Sequence, residues 1–340
     1  MNIGEIARAA GVSRSTVSYA LSGKRRISQE TRDRIQAVIE DLGYQPNASA
    51  RALANGRTST LALVFPPSPA RGHYTDMQLG FIGSVVEAAA EQEYDVLVSA
   101  GRPAGAQGLA RMAGERRVDG VLLMESLLHD PRVKVLQEAD FPYVTVGRSA
   151  DATAADQDWV DLDHGALVAA CVHHLAGLGH RHIALVNRPE ELLRTGYANA
   201  HRGAEGFAKA MAERGLVARL HPCDDTIAAG EETAGRILRE DPRTTAVVTL
   251  NEAALAGLFR GLAAAGRNIP DDISVTGVAA DRWATACTPE LTACDVPAAD
   301  MGRRAVELLL RRIAAPYAEA CQVLLTPPLT PRASTAPAPH

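Results

Sequence analysis

Apolar positions fall in two rhythms along this chain, and the change comes near residue 58. Before it the spacing is helical. Ile3, Ile6, Ala7 and Ala10 share one face of a first predicted helix, which Asn2 and Glu5 open as a capping box and Gly11 ends. Ser13 caps a second predicted helix running to about Leu21, with Val12, Val17 and Leu21 inward. Ser28 caps a third that ends at Gly43, with Ile35, Val38, Ile39 and Leu42 as its stripe. Two short helices around an Ala-Gly turn, locked by a third, make the plan of a helix-turn-helix. Pro46 stops the third helix, and Asn47 caps a short Ala-rich segment with a single large apolar residue, Leu53.

After residue 58 the rhythm becomes short apolar runs separated by helical stripes. Runs at 61–65, 95–99, 120–124, 143–146, 183–187, 246–250 and 273–278 read as buried parallel strands. Helical stripes lie between them, for example Met77, Phe81, Val85 and Ala89. The alternation predicts an α/β body with parallel sheets and helices on both faces. It comes in two blocks, hence two lobes: 59–159 with 297–320, and 160–296 with 321–330. Residues 331–340 read as a flexible tail. The domain plan is therefore a head at 1–45, a hinge at 46–58 and a two-lobed body at 59–330. In such bodies ligands bind at the carboxyl ends of the strands, in the cleft between lobes.

Charge sharpens the division. The chain of 340 residues has a net charge of −5. Residues 1–58 hold nine Arg/Lys against five Asp/Glu, so a head of +4 sits on a body of −9. A basic head meets phosphates and an acidic body does not. The outer face of the second helix offers Arg14, Ser15, Ser18 and Tyr19, side chains suited to base edges in a major groove. Ser13, Thr16, Lys24 and Arg25 suit phosphates. Leu53 suits a wedge between base steps in a minor groove; a plain linker helix is the alternative.

The stretch 3–54 is similar to the head and hinge of the lactose-repressor (LacI/GalR) family of bacterial transcription factors. The matching motifs are AGVS, TVS, L-x-G, IS-x-x-TR, LGY-x-PN and A-R-x-L. The body resembles the family's periplasmic-binding-protein-like sensor through HHLAGLGHRHIALV, IPDDISVTGV, PELTACDVP and MGRRAVELLL. The resemblance implies that Arg14, Ser15 and Tyr19 read bases. It also implies that Asn47, Ala50 and Leu53 form the minor-groove hinge. It further implies a homodimer on a palindromic operator, with a small-molecule effector, a sugar foremost, in the cleft. A purine or nucleoside effector is the alternative within this reading, and an enzyme with a regulatory helical head is the alternative to it.

The candidate effector contacts lie just past strand ends: His73, Tyr74, Glu125, Arg148, Arg202, Asn251, Asp281 and Trp283. His201 or Arg202 could fill the family's sugar-binding arginine position, since the spacing to Gly206-Phe207 is one residue long. The family's Gly-Phe-Asp-Asp is Gly277-Val278-Ala279-Ala280 here, so Ala279 replaces a usual ligand-binding Asp. Either Asp281 reaches in or the effector is held differently.

Other chemistry is excluded or weak. The five cysteines are scattered, with no CxxC. His173, His174, His180, His182 and Cys171 straddle a helix–turn–strand junction and read as structural. Asp161-x-Asp163-His164 reads as a strand end and a helix cap. No phosphate loop, nucleophile elbow or paired-carboxylate signature stands out, so the expectation is a non-enzyme without cofactor or metal. With no signal peptide and no membrane span, the expected location is the cytoplasm.

Overall fold

The computed structural model describes residues 3–22, 27–43, 57–66, 75–100, 105–150 and 156–339. In the head, α1 (Ile3–Ala9), α2 (Arg14–Ser22) and α3 (Gln29–Asp41) close on one small core. Ile6, Ala7, Ala10, Val17, Ile35 and Ile39 are buried there, and Val12, Val38 and Leu42 pack around them. Gly11 has φ +65°, a left-handed turn that joins α1 to α2 without a Cβ clash. Ser13 Oγ accepts from Thr16 N at 3.1 Å and Ser28 Oγ from Thr31 N at 3.2 Å, which fixes where α2 and α3 begin.

The first lobe begins with β1 (Thr60–Val64), α4 (Asp76–Ala90), β2 (Asp95–Ser99) and α5 (Ala106–Gly114). It continues with β3 (Gly120–Leu123), α6 (Pro131–Glu138), β4 (Tyr143–Val146) and β5 (Trp159–Leu162). The second lobe follows with α7 (His164–Gly177), β6 (Ile183–Asn187), α8 (Glu190–Thr195), α9 (Ala198–Glu213), β7 (Arg219–Pro222) and α10 (Ile227–Glu240). Next come β8 (Ala246–Thr249), α11 (Leu255–Ala264), β9 (Ser274–Val278), α12 (Asp281–Ala286) and β10 (Thr292–Cys294). The chain then returns to the first lobe with α13 (Ala298–Ala314) and β11 (Gln322–Leu325), and ends in the second with β12 (Leu329–Thr330).

The two sheets match strand for strand: β11-β5-β4-β3-β1-β2 and β12-β10-β9-β8-β6-β7. All pairings are parallel except β10 with β12. The chain crosses between lobes after β5, after β10 and after β11.

Two expected boundaries move. Residues 160–162 and 321–325 were expected in the second lobe, but β5 and β11 pair with each other in the first sheet, with Leu324 beside Asp161. A Val-Asp-Leu stretch carries too short an apolar run to declare itself a strand, so the pairing decides its side. The tail is also not free over 331–339. Ser334 is fully buried, its Oγ donates to Val275 O at 2.5 Å, and its carbonyl accepts from Val275 N at 2.9 Å. His180 bridges Thr245 Oγ1 at 2.9 Å and Ala336 O at 3.0 Å, and His174 meets Thr335 Oγ1 at 3.0 Å. These histidines serve packing, and the described residues contain no His/Cys/Asp/Glu group able to hold a metal ion.

Candidate functional site: a DNA-reading face and an inter-lobe cleft

On α2 the side chains of Arg14 and Ser15 are exposed and Tyr19 is half-buried, while Val17 faces the core. The helix thus presents its first turn outward. Ser13 Oγ lies 2.7 Å from Ser15 Oγ and 2.8 Å from Thr16 Oγ1, a cluster of short hydroxyls at the helix start. Lys24, Arg25, Asn47, Ala50 and Leu53 lie outside the described residues, as do His73 and Tyr74.

One carboxylate clasps the chain where the body enters its first strand. Asp119 accepts from Thr58 N at 2.7 Å, Thr58 Oγ1 at 3.0 Å and Ser59 N at 2.9 Å. Asp119 immediately precedes β3. The opposite end of β3 opens into the cleft through Met124, Glu125 and Ser126.

That end is held by a buried ion pair. Asp130 and Arg132 meet at 2.6 Å, and Arg132 donates to Val64 O at 3.3 Å and Met124 O at 3.1 Å. These contacts engage the last carbonyl of β1 and the carbonyl just past β3. Glu125 then takes a left-handed conformation, φ +53°, uncommon for a residue with a Cβ. Strain of this kind gathers at ligand sites. Its Oε1 accepts from Gln78 Nε2 at 2.7 Å. Gln78 also serves the capping box of α4, its Oε1 accepting from Thr75 N at 2.7 Å. One amide therefore starts α4 and orients Glu125. Burial pushes the Glu125 carboxyl above its usual range, against the opposing pull of Arg188.

The cleft has two compartments. The inner one, about 100 Å³, is walled by Met77, Phe81, Met124, Leu162, Val278 and Met301, with Asp161, His164 and Asn251 among its polar lining. The outer one, about 780 Å³, is lined by Tyr197, Phe259 and Trp283 and by Leu192 and Ile227. Glu125, Arg188, Asp225 and Glu252 border both. The lobes meet beside it through main-chain bonds: Leu128 N to Gly196 O at 2.8 Å and Ala198 N to Ser126 O at 3.1 Å.

The expected contacts separate on this geometry. Glu125 and Asn251 line the cleft and Trp283 lines its outer part. Asn251 is already engaged: its Nδ2 donates to Cys223 O at 2.7 Å and its Oδ1 accepts from Ala254 N at 3.2 Å. Arg148 and Arg202 are absent from the lining of either compartment. Arg202 donates to Arg148 O at 2.7 Å and Ser149 O at 3.3 Å. His201 turns the other way, to Leu193 O at 2.8 Å. Asp281 is exposed and paired with Arg332, so it does not reach into the space left by Ala279. Glu252 stands there instead, accepting from Ala280 N at 2.7 Å.

The polar lining residues absent from the expected contact set include Asp225, Asp161 and His164. Asp225 follows β7, a strand whose His221 interrupts the apolar pattern, and pairs with Arg188 at 2.9 Å. Asp161 sits inside β5, and His164 opens α7. His164 Nδ1 lies 3.0 Å from Leu162 O, and burial lowers its pKa to about 4, leaving a neutral ring. The position of Asp161 and His164, polar residues at a strand–helix junction facing a predicted cleft, was the available signal.

A helix-turn-helix head on a two-lobed α/β body with a ligand-sized cleft at its strand ends defines a sensor joined to a DNA-binding unit. A model described as bacterial regulatory proteins, lacI family, matches residues 2–47, and one for a periplasmic binding protein-like domain matches 172–335. The HTH-type transcriptional regulator AglR of Rhizobium meliloti is 31% identical over 280 residues, 81% of this chain and 76% of that protein. The HTH-type transcriptional regulator CelR of Thermobifida fusca is 29% identical over 333 residues, 97% of this chain and 96% of that one. A solved CelR–cellobiose complex superposes with TM-score 0.70 at 28% identity, covering 98% of this chain and 99% of the other. The chain belongs to the LacI family of bacterial transcriptional regulators and is a DNA-binding protein of that family.

Proposed function

We propose that this protein is a dimeric repressor of carbohydrate uptake or catabolism genes, released from or recruited to a near-palindromic operator by a sugar-sized effector in the inter-lobe cleft. The observation that carries the reading is the cleft itself: two joined compartments at the strand ends of both lobes, with carboxylates, an arginine and aromatic rings on one wall. Carboxylates and guanidinium groups bond hydroxyls, and aromatic faces cover the apolar faces of a sugar ring. The cellobiose held by the relative CelR supports the same class.

Dimerisation is supported by where apolar side chains remain uncovered. Leu79 and Val86 on α4, Val98 on β2, Leu220 on β7 and Ile227 on α10 are each at least 40% exposed. β2 and β7 are the corresponding edges of the two sheets. Uncovered edges with apolar residues suit burial against a second copy, and a two-fold dimer presents two heads to two half-sites. Arg14, Ser15 and Tyr19 are the base readers in this proposal, and Ser13, Thr16, Lys24 and Arg25 meet phosphates. The hinge at Asn47, Ala50 and Leu53 enters the minor groove. Such a regulator works in the cytoplasm, where its operator is.

β3 supplies a physical link. Its cleft end carries Glu125 and its far end carries the Asp119 clasp on Thr58 and Ser59, where the chain arrives from the head. An effector that binds one lobe arrangement more tightly shifts that arrangement's population, by ~1–3 kcal/mol in coupled sites. The test is a thermal-shift screen of mono- and disaccharides, purines and nucleosides, followed by release of an operator selected from a random DNA pool. A sugar that raises the melting temperature and changes operator affinity is the expected result. Stabilisation by purines or nucleosides alone overturns the sugar reading.

A further inference from the structure

Asp161 carries an acceptor that no described residue hydrogen-bonds. It lies on β5 at the inner compartment of the cleft, 4% exposed, and its Oδ2 has no hydrogen-bond partner among the described residues. Its carboxylate does accept main-chain N–H groups of Arg148 and Leu162. Two guanidinium groups stand near Oδ2 without bonding it: Arg148 Nε at 3.5 Å and Arg202 Nη1 at 3.6 Å.

Arg202 is committed elsewhere, and Arg148 is shared between two carboxylates. Arg202 spends Nη1 on Arg148 O and Nη2 on Ser149 O. Arg148 reaches toward Asp163 Oδ1 at 3.7 Å and lies over the Trp159 ring at 5.8 Å. Packing enforces the arrangement. A Cβ on Gly206 would come within 2.4 Å of Gly165 O, so this glycine lets α9 press onto the start of α7. That close approach carries Arg202 to the strand end of the first lobe. The result is a buried carboxylate in a positive field, on a residue of the cleft lining, with one oxygen that no described residue hydrogen-bonds. A charged acceptor with no bond is costly to bury and persists where a ligand completes it.

We propose that Asp161 is the effector-reading carboxylate of this cleft, accepting a hydrogen bond from an effector hydroxyl on Oδ2. It takes over the part left vacant by Ala279, from the opposite lobe. This rests on the proposed effector cleft and names the residue and polarity of its inner end: a hydroxyl donor faces the first lobe. The charged and titratable groups around Asp161 are Arg148 beyond β4, Asp163 and His164 at the junction with α7, and Arg202 on α9.

Two measurements on the full-length protein test it. Without ligand, carbon-13 NMR follows the side-chain carboxyl of Asp161, assigned by its absence in Asp161→Asn. An open acceptor titrates well above the ordinary carboxylate range, and burial raises this group to about 6. A titration at or below the ordinary range would mean that the arginines hold it as a plain counter-ion, and the proposal falls. With cellobiose as the probe, calorimetry compares wild type with Asp161→Asn. The expected loss is about tenfold or more in affinity, the scale of one charged hydrogen bond. Equal affinity overturns the proposal. If cellobiose does not bind the wild type, the same comparison is run with the sugar that the thermal-shift screen returns, and if no sugar binds, the functional reading fails and this proposal with it.

Discussion

The two lobes share a strand order, yet they bring unlike chemistry to the cleft between them. On the first lobe's side Glu125 is backbone-strained and Asp161 has an open oxygen, and burial raises both carboxyls. On the second lobe's side the polar groups are mostly closed among themselves. Arg188 pairs with Asp225, Asn251 caps the turn after β8, Glu252 holds Ala280 N, and Ala279 offers nothing. A repeated fold therefore fixes where a ligand sits and leaves its polarity to the individual strand ends. In the proposed reading a ligand completes the first wall, while the second is mostly closed among its own residues, Trp283 excepted.

The contrast breaks most sharply on stability. Asp225→Ala should destabilise the ligand-free protein by about 3 kcal/mol in urea unfolding, because it strands the largely buried Arg188 charge. The double variant Arg188→Met with Asp225→Leu should recover most of that loss. If the single variant is as stable as wild type, the second wall is not a closed structural network.

Asp161→Asn should act in the other direction. The folded state raises the Asp161 carboxyl from 3.8 to about 6, so folding favours its protonated form. The resulting penalty is absent below about pH 3.8, grows through the window up to 6, and is full above it. Its size at pH 7.5 is at most about 3 kcal/mol. Asn carries no charge and escapes it. The variant should therefore unfold at higher urea than wild type at pH 7.5, with the gap closing as pH falls from 6 toward 4. A variant less stable than wild type at pH 7.5 would place Asp161 among the closed groups and erase the contrast between the walls.

The sequence discloses these walls unequally. Strands that are continuous apolar runs, such as β1, β3 and β6, stand out from their neighbours, and Glu125 stands out as the polar residue just beyond such a run. β5, β7 and β10 do not, because Asp161 and His221 interrupt two of them and β10 is only three residues long. Their side of the chain must be set by pairing across the sheet, which is long-range. Asn251 is legible by position, but its hydrogen bonds are not, since Cys223 O comes from another strand end. Asp281 looks like a substitute for the missing Asp by proximity alone; Arg332, fifty-one residues away, turns it outward. The head is the opposite case. Its caps and apolar stripe are local, so Ser13, Ser28, Val17 and Ile35 announce their places directly.

One group on the second lobe departs from the closed pattern and offers the smallest test. Trp283, half-buried on α12, lines the outer compartment, and its Nε1 is buried without a hydrogen-bond partner among the described residues. Arg282 lies over its ring at 5.9 Å, which fixes the ring rather than the N–H. Trp283→Phe removes that donor and keeps an aromatic surface. Losing an unsatisfied donor offsets the lost contact area, so the ligand-free protein should change by less than about 1 kcal/mol. If a disaccharide spans both compartments, affinity should drop severalfold for cellobiose and stay level for glucose, which the inner end alone would hold. Equal losses for both sugars would locate the whole effector at the mouth, and the inner, carboxylate-bearing wall would then lose its claim to read it.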